Sequence, residues 1–164
     1  MGVSDQAGDP RIGRLSWRDS VSQSAQDDLD RLLGEALPFA QKMLAKNGEF
    51  FPYAIALAAD GTARMVAAYE GSENPPSTEL LTMLFDGLRD QSSDLRGAAI
   101  VSDVRIKDPD SDAIRVEVEH IEGAAMAVVL PYRIQKKLLG RDVTYGEMRA
   151  LSAERRIWPG PATS

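Results

Sequence analysis

Residues 112–132, DAIRVEVEHIEGAAMAVVLPY, decide the fold. The first half alternates, with Ile114, Val116 and Val118 on one side and Arg115, Glu117 and Glu119 on the other, as in a strand with one dry face. His120 ends that strand on the apolar parity and reads as a half-buried packing residue. Glu122-Gly123 follows as a two-residue hairpin turn, since glycine accepts the positive φ such turns require. Residues 124–130 are apolar at every position, which predicts a strand buried on both faces in the middle of a sheet.

Upstream, residues 95–106 read as a strand with Ile100, Val104 and Ile106 toward the core and Asp103 and Arg105 away from it. If Val104 and Ile106 share a face with Ile114 and Val116, register parity gathers Asp103, Arg105, Arg115, Glu117 and Glu119 on one outer face. The joining segment, Asp108-Pro109-Asp110-Ser111-Asp112, has carboxylates at positions one, three and five of a calcium loop, with Glu119 at twelve. Ala113 stands where the sharp-turning glycine belongs, so the pentapeptide reads as an ordinary turn.

Nearer the N-terminus, Leu29, Leu32, Leu33, Ala36, Ala40, Met43 and Leu44 recur at helical spacing. Ser24 is the expected cap, Pro38 is expected to kink or split the helix, and Asn47-Gly48 to stop it. FFPYAIALAADGTARMVAAYE is a hairpin about Asp60-Gly61. A two-residue loop there puts Ala54, Ala56, Ala58, Ala63, Met65 and Ala67 on one small, apolar face. With Tyr53 from the other face, these side chains form the candidate interaction surface: Tyr53, Ala54, Ala56, Ala58, Met65 and Ala67. GSENPPS is a loop, and a helix beginning near Ser77 carries Leu80, Leu81, Leu84, Phe85 and Leu88. After Tyr132, short helices are expected at residues 134–139 and 146–155.

Together these segments predict one α+β domain over residues 24–158, between flexible ends at 1–23 and 159–164. The predicted order is α-β-β-α-β-β-β plus a tail, with a single five-stranded antiparallel sheet, residues 124–130 at its centre and the helices packed on one face. Over residues 25–132 this order resembles that of the roadblock, profilin and longin modules, and similar orders occur in type III secretion chaperones. The resemblance implies a homodimeric scaffold or regulatory binding module without catalysis.

Composition narrows function by exclusion. The chain of 164 residues has no cysteine and one histidine, which removes thiolate nucleophiles, disulfides and cysteine-based zinc sites. No serine sits in a Gly-x-Ser-x-Gly elbow, and no phosphate-binding glycine loop follows a strand. Residues 1–130 carry 12 basic and 22 acidic side chains and residues 131–164 carry 7 and 3, so only the tail is cationic and nucleic acid is not an expected partner. No segment suggests a secretory leader or membrane span, and the expected compartment is the cytoplasm. Arginine outnumbers lysine 14 to 5, as in a GC-rich bacterial genome. The expected function is a non-catalytic protein-interaction module, homodimeric or bound to another protein, without a cofactor. The alternative is a small-ligand or metal-dependent enzyme using the carboxylates Asp103, Glu117 and Glu119.

Overall fold

The computed structural model describes residues 21–67 and 76–159. The end expected at 159–164 lies outside it beyond Pro159, as do residues 1–20 of the expected N-terminal arm and most of the loop expected at 71–77. Helix α1 (Gln23–Asn47) is followed by strands β1 (Tyr53–Ala58) and β2 (Ala63–Ala67), then by helix α2 (Ser77–Asp90) and a single 3₁₀ turn, Ser92–Asp94. Strands β3 (Leu95–Ile106), β4 (Ser111–His120), β5 (Ala125–Lys136), β6 (Arg141–Tyr145) and β7 (Arg149–Ser152) follow.

The sheet is antiparallel with strand order β2-β1-β3-β4-β5-β6, and β7 pairs with β5 alongside β6. Among the described residues it therefore has seven strands rather than the five expected, and the fully apolar strand β5 is interior but off centre. The missing strands come from the tail, where helices were expected. Ile134 and Val143 face each other across β5 and β6 and pack on the core, so strand alternation wins over a weak helical pattern. Pro131 is tolerated inside β5 because its N and C=O face the junction of β6 and β7. There its carbonyl accepts from Gly146 N at 2.8 Å, and a Cβ on Gly146 would come within 3.3 Å of the proline ring.

Two loops of one kind set the register. Ala59-Asp60-Gly61 and Ile121-Glu122-Gly123 are three-residue loops, not the two-residue turns expected. In each, the glycine has positive φ (94° and 113°) and donates to the residue before the loop, Ala58 or His120, at 2.9 Å. This is a type of hairpin loop in which the glycine forms a bulge. The extra residue slips β2 by one position against β1, pairing Ile55 with Met65 and Tyr53 with Ala67. A slip of one residue turns every side chain to the other face.

The helices pack on opposite faces of the sheet, not on one. α1 lays Leu29, Leu32, Ala36, Ala40 and Leu44 on Tyr53, Ile55, Leu57, Ala99, Val101, Val116, Val118 and Val128. α2 lays Leu84, Phe85 and Leu88 on Ala54, Ala56, Ala98 and Ile100. Two-sided apolar character in β1 and β3 is what a strand covered on both faces requires. Gly97 allows a close approach of α1, since a Cβ there would meet Leu32 Cδ1 at 3.1 Å. α1 touches β1, β3, β4 and β6, so the sheet curls around it as a half-barrel. The helix is capped by Ser22, not Ser24, with Ser22 Oγ accepting from Ala25 N. Pro38 does not split it, and Gly48 ends it in the left-handed conformation with its N–H on Leu44 O.

Candidate functional site

A groove of about 280 Å³, mostly apolar but with Asn47 and Glu49 in its lining, lies between the end of α1, the connection into β1, and β2. Phe39 and Met43 come from α1, Phe50, Phe51 and Pro52 from the connection, Tyr53 from β1, and Met65 and Ala67 from β2. Tyr53 anchors the floor. Its hydroxyl donates to Ala36 O at 2.5 Å, and its ring meets Phe39 edge-on at 4.9 Å and Phe50 at 6.0 Å. Burial holds the Tyr53 hydroxyl well above the ordinary tyrosine range, so it stays a neutral donor. Phe51 (42% exposed) and Met65 (45%) form the rim. β2 is an edge strand, and its groove face reads Ala63, Met65, Ala67 with no charge. Its Arg64 turns to the other face and bonds Gln91.

Three of the six residues expected to form an interaction surface therefore meet here: Tyr53, Met65 and Ala67. Ala54 and Ala56 do not, because they are buried under α2, and Ala58 is half-buried where the hairpin turns. The register slip at Gly61 separates them. Phe39, Met43, Phe50 and Phe51 were missed as groove residues. The pair Phe50-Phe51 before a proline was a visible signal, but only the packing of α1 brings Phe39 and Met43 beside it.

The expected carboxylate cluster is divided between the two faces of the sheet. β3 pairs with β4 so that Asp103 faces Ile114 and Arg105 faces Asp112, which is the odd parity. Asp103 and Arg105 thus lie on the α1 face, while Arg115, Glu117 and Glu119 lie on the α2 face. The four-residue loop 107–110 sets this parity, and no sequence rule read from its apolar neighbours fixed it. Asp103 accepts from Tyr132 Oη at 2.6 Å. Burial raises its pKa, the Tyr132 bond opposes this, and the negative charges of Asp112 and Glu49 add to the rise. Arg105 takes Asp110 at 3.0 Å and Asp112 at 3.3 Å, so the acidic loop is spent on an exposed ion pair. Among the described residues no three or more histidine, aspartate or glutamate side chains come together as metal ligands.

On the α2 face Glu119 is only 4% exposed. Its carboxylate accepts from three successive backbone amides: Arg156 N at 2.8 Å, Ile157 N at 3.0 and 3.1 Å, and Trp158 N at 2.8 Å. A run of amides of this kind makes an anion-binding concavity, here filled by the chain itself. Ile157 is buried against α2, and the Arg156 guanidinium lies 3.6 Å over the Phe85 ring. Residues 156–158 are in effect a clasp closing over β4.

His120 is buried rather than half-buried, and it belongs to a polar cluster that the sequence did not indicate. Its Nδ1 accepts from Glu122 N at 3.2 Å, which leaves Nε2 to donate to Asp28 Oδ2 at 2.9 Å. Arg96 donates to the other Asp28 oxygen at 3.0 Å. With both ring nitrogens engaged, the histidine has no lone pair free to take a substrate proton, and the arrangement ties α1 to β3 and β4.

Compared with family models, curated proteins and solved structures, the chain matches none. The likeness to the roadblock, profilin and longin modules rests on element order alone.

Proposed function

We propose that this chain is a non-catalytic protein-interaction module that forms a homodimer across the β2 edge. The observation that supports the reading is the combination, at one place, of an aromatic groove and a strand edge whose groove face is uncharged. Among the described residues β2 has no partner on its outer side. Edge strands are ordinarily blunted by charge, proline or a bulge, and the groove face of β2 carries none of these. Antiparallel pairing of β2 with its copy about a two-fold axis at Met65 satisfies both edges and brings the two grooves together. The buried polar clusters favour this over a catalytic reading, because the His120 imidazole and the Asp28 and Glu119 carboxylates are committed to internal contacts.

Light scattering tests the proposal. The wild-type chain is expected at the mass of a dimer and the Met65→Lys variant at that of a monomer with an unchanged far-ultraviolet circular dichroism spectrum, since Met65 is a rim residue. Because the chain has no cysteine, Met65→Cys gives a second readout: oxidation should cross-link it to its own copy. A wild-type chain that stays monomeric up to its solubility limit overturns the proposal.

A further inference from the structure

The hairpin joining β5 to β6 ends in Lys136-Lys137-Leu138-Leu139-Gly140-Arg141. Both leucines are open to solvent, Leu138 at 101% and Leu139 at 92% of full exposure. No other large apolar side chain among the described residues exceeds 55%. Nothing lies within 4 Å of where a Cβ on Gly140 would stand, so the turn is open there as well as at the two leucines. Residues 133–141 carry four cations, Arg133, Lys136, Lys137 and Arg141, and no acid. Two of these have local partners: Lys137 pairs with Asp142, and Arg141 reaches Lys46 O at 3.0 Å, which braces the hairpin against the end of α1. Arg133 and Lys136 are exposed on the shaft.

We propose that this finger docks the protein on an anionic lipid surface. The tip is convex, and two adjacent exposed leucines on a convex tip fit a surface that can yield around them, such as the boundary between headgroups and acyl chains. The cations behind them then stand at headgroup level, where a negatively charged leaflet attracts each one. The acidic character of the whole chain, net −6, does not cancel this. Charges more than about 8–10 Å apart in solution are largely screened at physiological salt, so the tip meets the bilayer through its own local charge. The docking surface is separate from the β2 edge and does not depend on the dimer.

Co-sedimentation with vesicles tests the inference on the full chain. Wild type is expected to sediment with phosphatidylcholine vesicles containing phosphatidylserine, to bind pure phosphatidylcholine far more weakly, and to be released by high salt. Leu138→Ser with Leu139→Ser should lower the partition coefficient at least about tenfold. Arg133→Gln with Lys136→Gln should lower it about tenfold or more on anionic vesicles only. The far-ultraviolet circular dichroism and melting of both variants should match wild type. Three results overturn the inference. One is no vesicle binding by wild type; another is equal binding by the leucine variant, which would make the contact a general charge effect. The third is self-association of wild type without lipid that the leucine substitutions abolish, which would assign the leucines to a second copy.

Discussion

His120 Nε2 and Asp28 Oδ2 lie 2.9 Å apart, with both residues buried and Arg96 on the second carboxylate oxygen. Burial alone would raise the Asp28 pKa, but the bonds from His120 and Arg96 and the Arg96 charge outweigh it and hold the group below its ordinary 3.8. A carboxyl with a depressed folded pKa contributes stability that is fully present above its unfolded value and is lost as pH falls through its folded value. The wild-type chain should therefore lose stability below pH 3.8 faster than Asp28→Asn does. At neutral pH, His120→Ala should cost about 2–4 kcal/mol, because it leaves a buried carboxylate short of a partner and opens a cavity. Denaturant melts across the acid range measure both.

Asp103 has the opposite sign. Its folded pKa lies above 3.8, chiefly through burial and despite the Tyr132 bond, so its ionised form weakens the fold at neutral pH. That penalty is full above the folded value and fades as pH falls from there to 3.8. Asp103→Asn keeps an oxygen to accept from Tyr132 and removes the charge facing Asp112 and Glu49. It should raise the melting temperature at neutral pH, by roughly 0.5–1 kcal/mol of stability, with the difference shrinking toward pH 4. A neutral or destabilising result at pH 7 would show that the carboxylate charge is needed there.

Glu119 and Glu117 look equivalent in sequence, and as outward residues of one strand each would be expected to tolerate glutamine within about 0.5 kcal/mol. The clasp separates them. Glu119→Gln turns an amide donor toward backbone N–H groups that need an acceptor, and it should cost about 2–3 kcal/mol. Trp158, whose indole N–H donates to Ser92 O, should report release of the clasp as a change in fluorescence. Glu117 is half-buried and reaches Arg115 at 3.5 Å and Arg156 only at 3.8 Å, so Glu117→Gln should change stability by less than about 1 kcal/mol. Equal effects for the two variants would contradict the clasp.

Much of the architecture was legible because periodicity is a local property. The stripe of α1, the face of α2 and the alternation of β4 follow from residue spacing, and each element lies near its expected place. What local pattern does not contain is the count of residues in a turn. One extra residue before Gly61 and the length of loop 107–110 each inverted a face, scattering the expected alanine surface and splitting the carboxylates. Asp28 with His120, and Glu119 with residues 156–158, are contacts across 92 and about 38 positions, for which a single sequence carries no signal. The exposed pair Leu138-Leu139 was hidden for a different reason: two leucines among basic residues fit a short amphipathic helix as well as a hairpin tip.

β5 tests the layering of the fold directly. Val128 faces Val116 and the core under α1, Val129 faces the other way beside Arg115 and β7, and each is 4% exposed. A strand with one wet face would tolerate a charge at one of the two positions. A strand buried on both faces tolerates it at neither, because an unpaired carboxylate in an apolar site keeps its desolvation penalty whichever side it enters. Val128→Asp and Val129→Asp should each cost several kcal/mol, about 3 or more, and at neutral pH leave the chain largely unfolded or prone to aggregation. Val129 is the more discriminating position, since it lies on the face away from α1 and belongs to neither of the two apolar clusters that α1 and α2 cover. If Val129→Asp melts within about 1 kcal/mol of wild type while Val128→Asp does not, that face is wet in solution and the half-barrel is more open than its packing indicates.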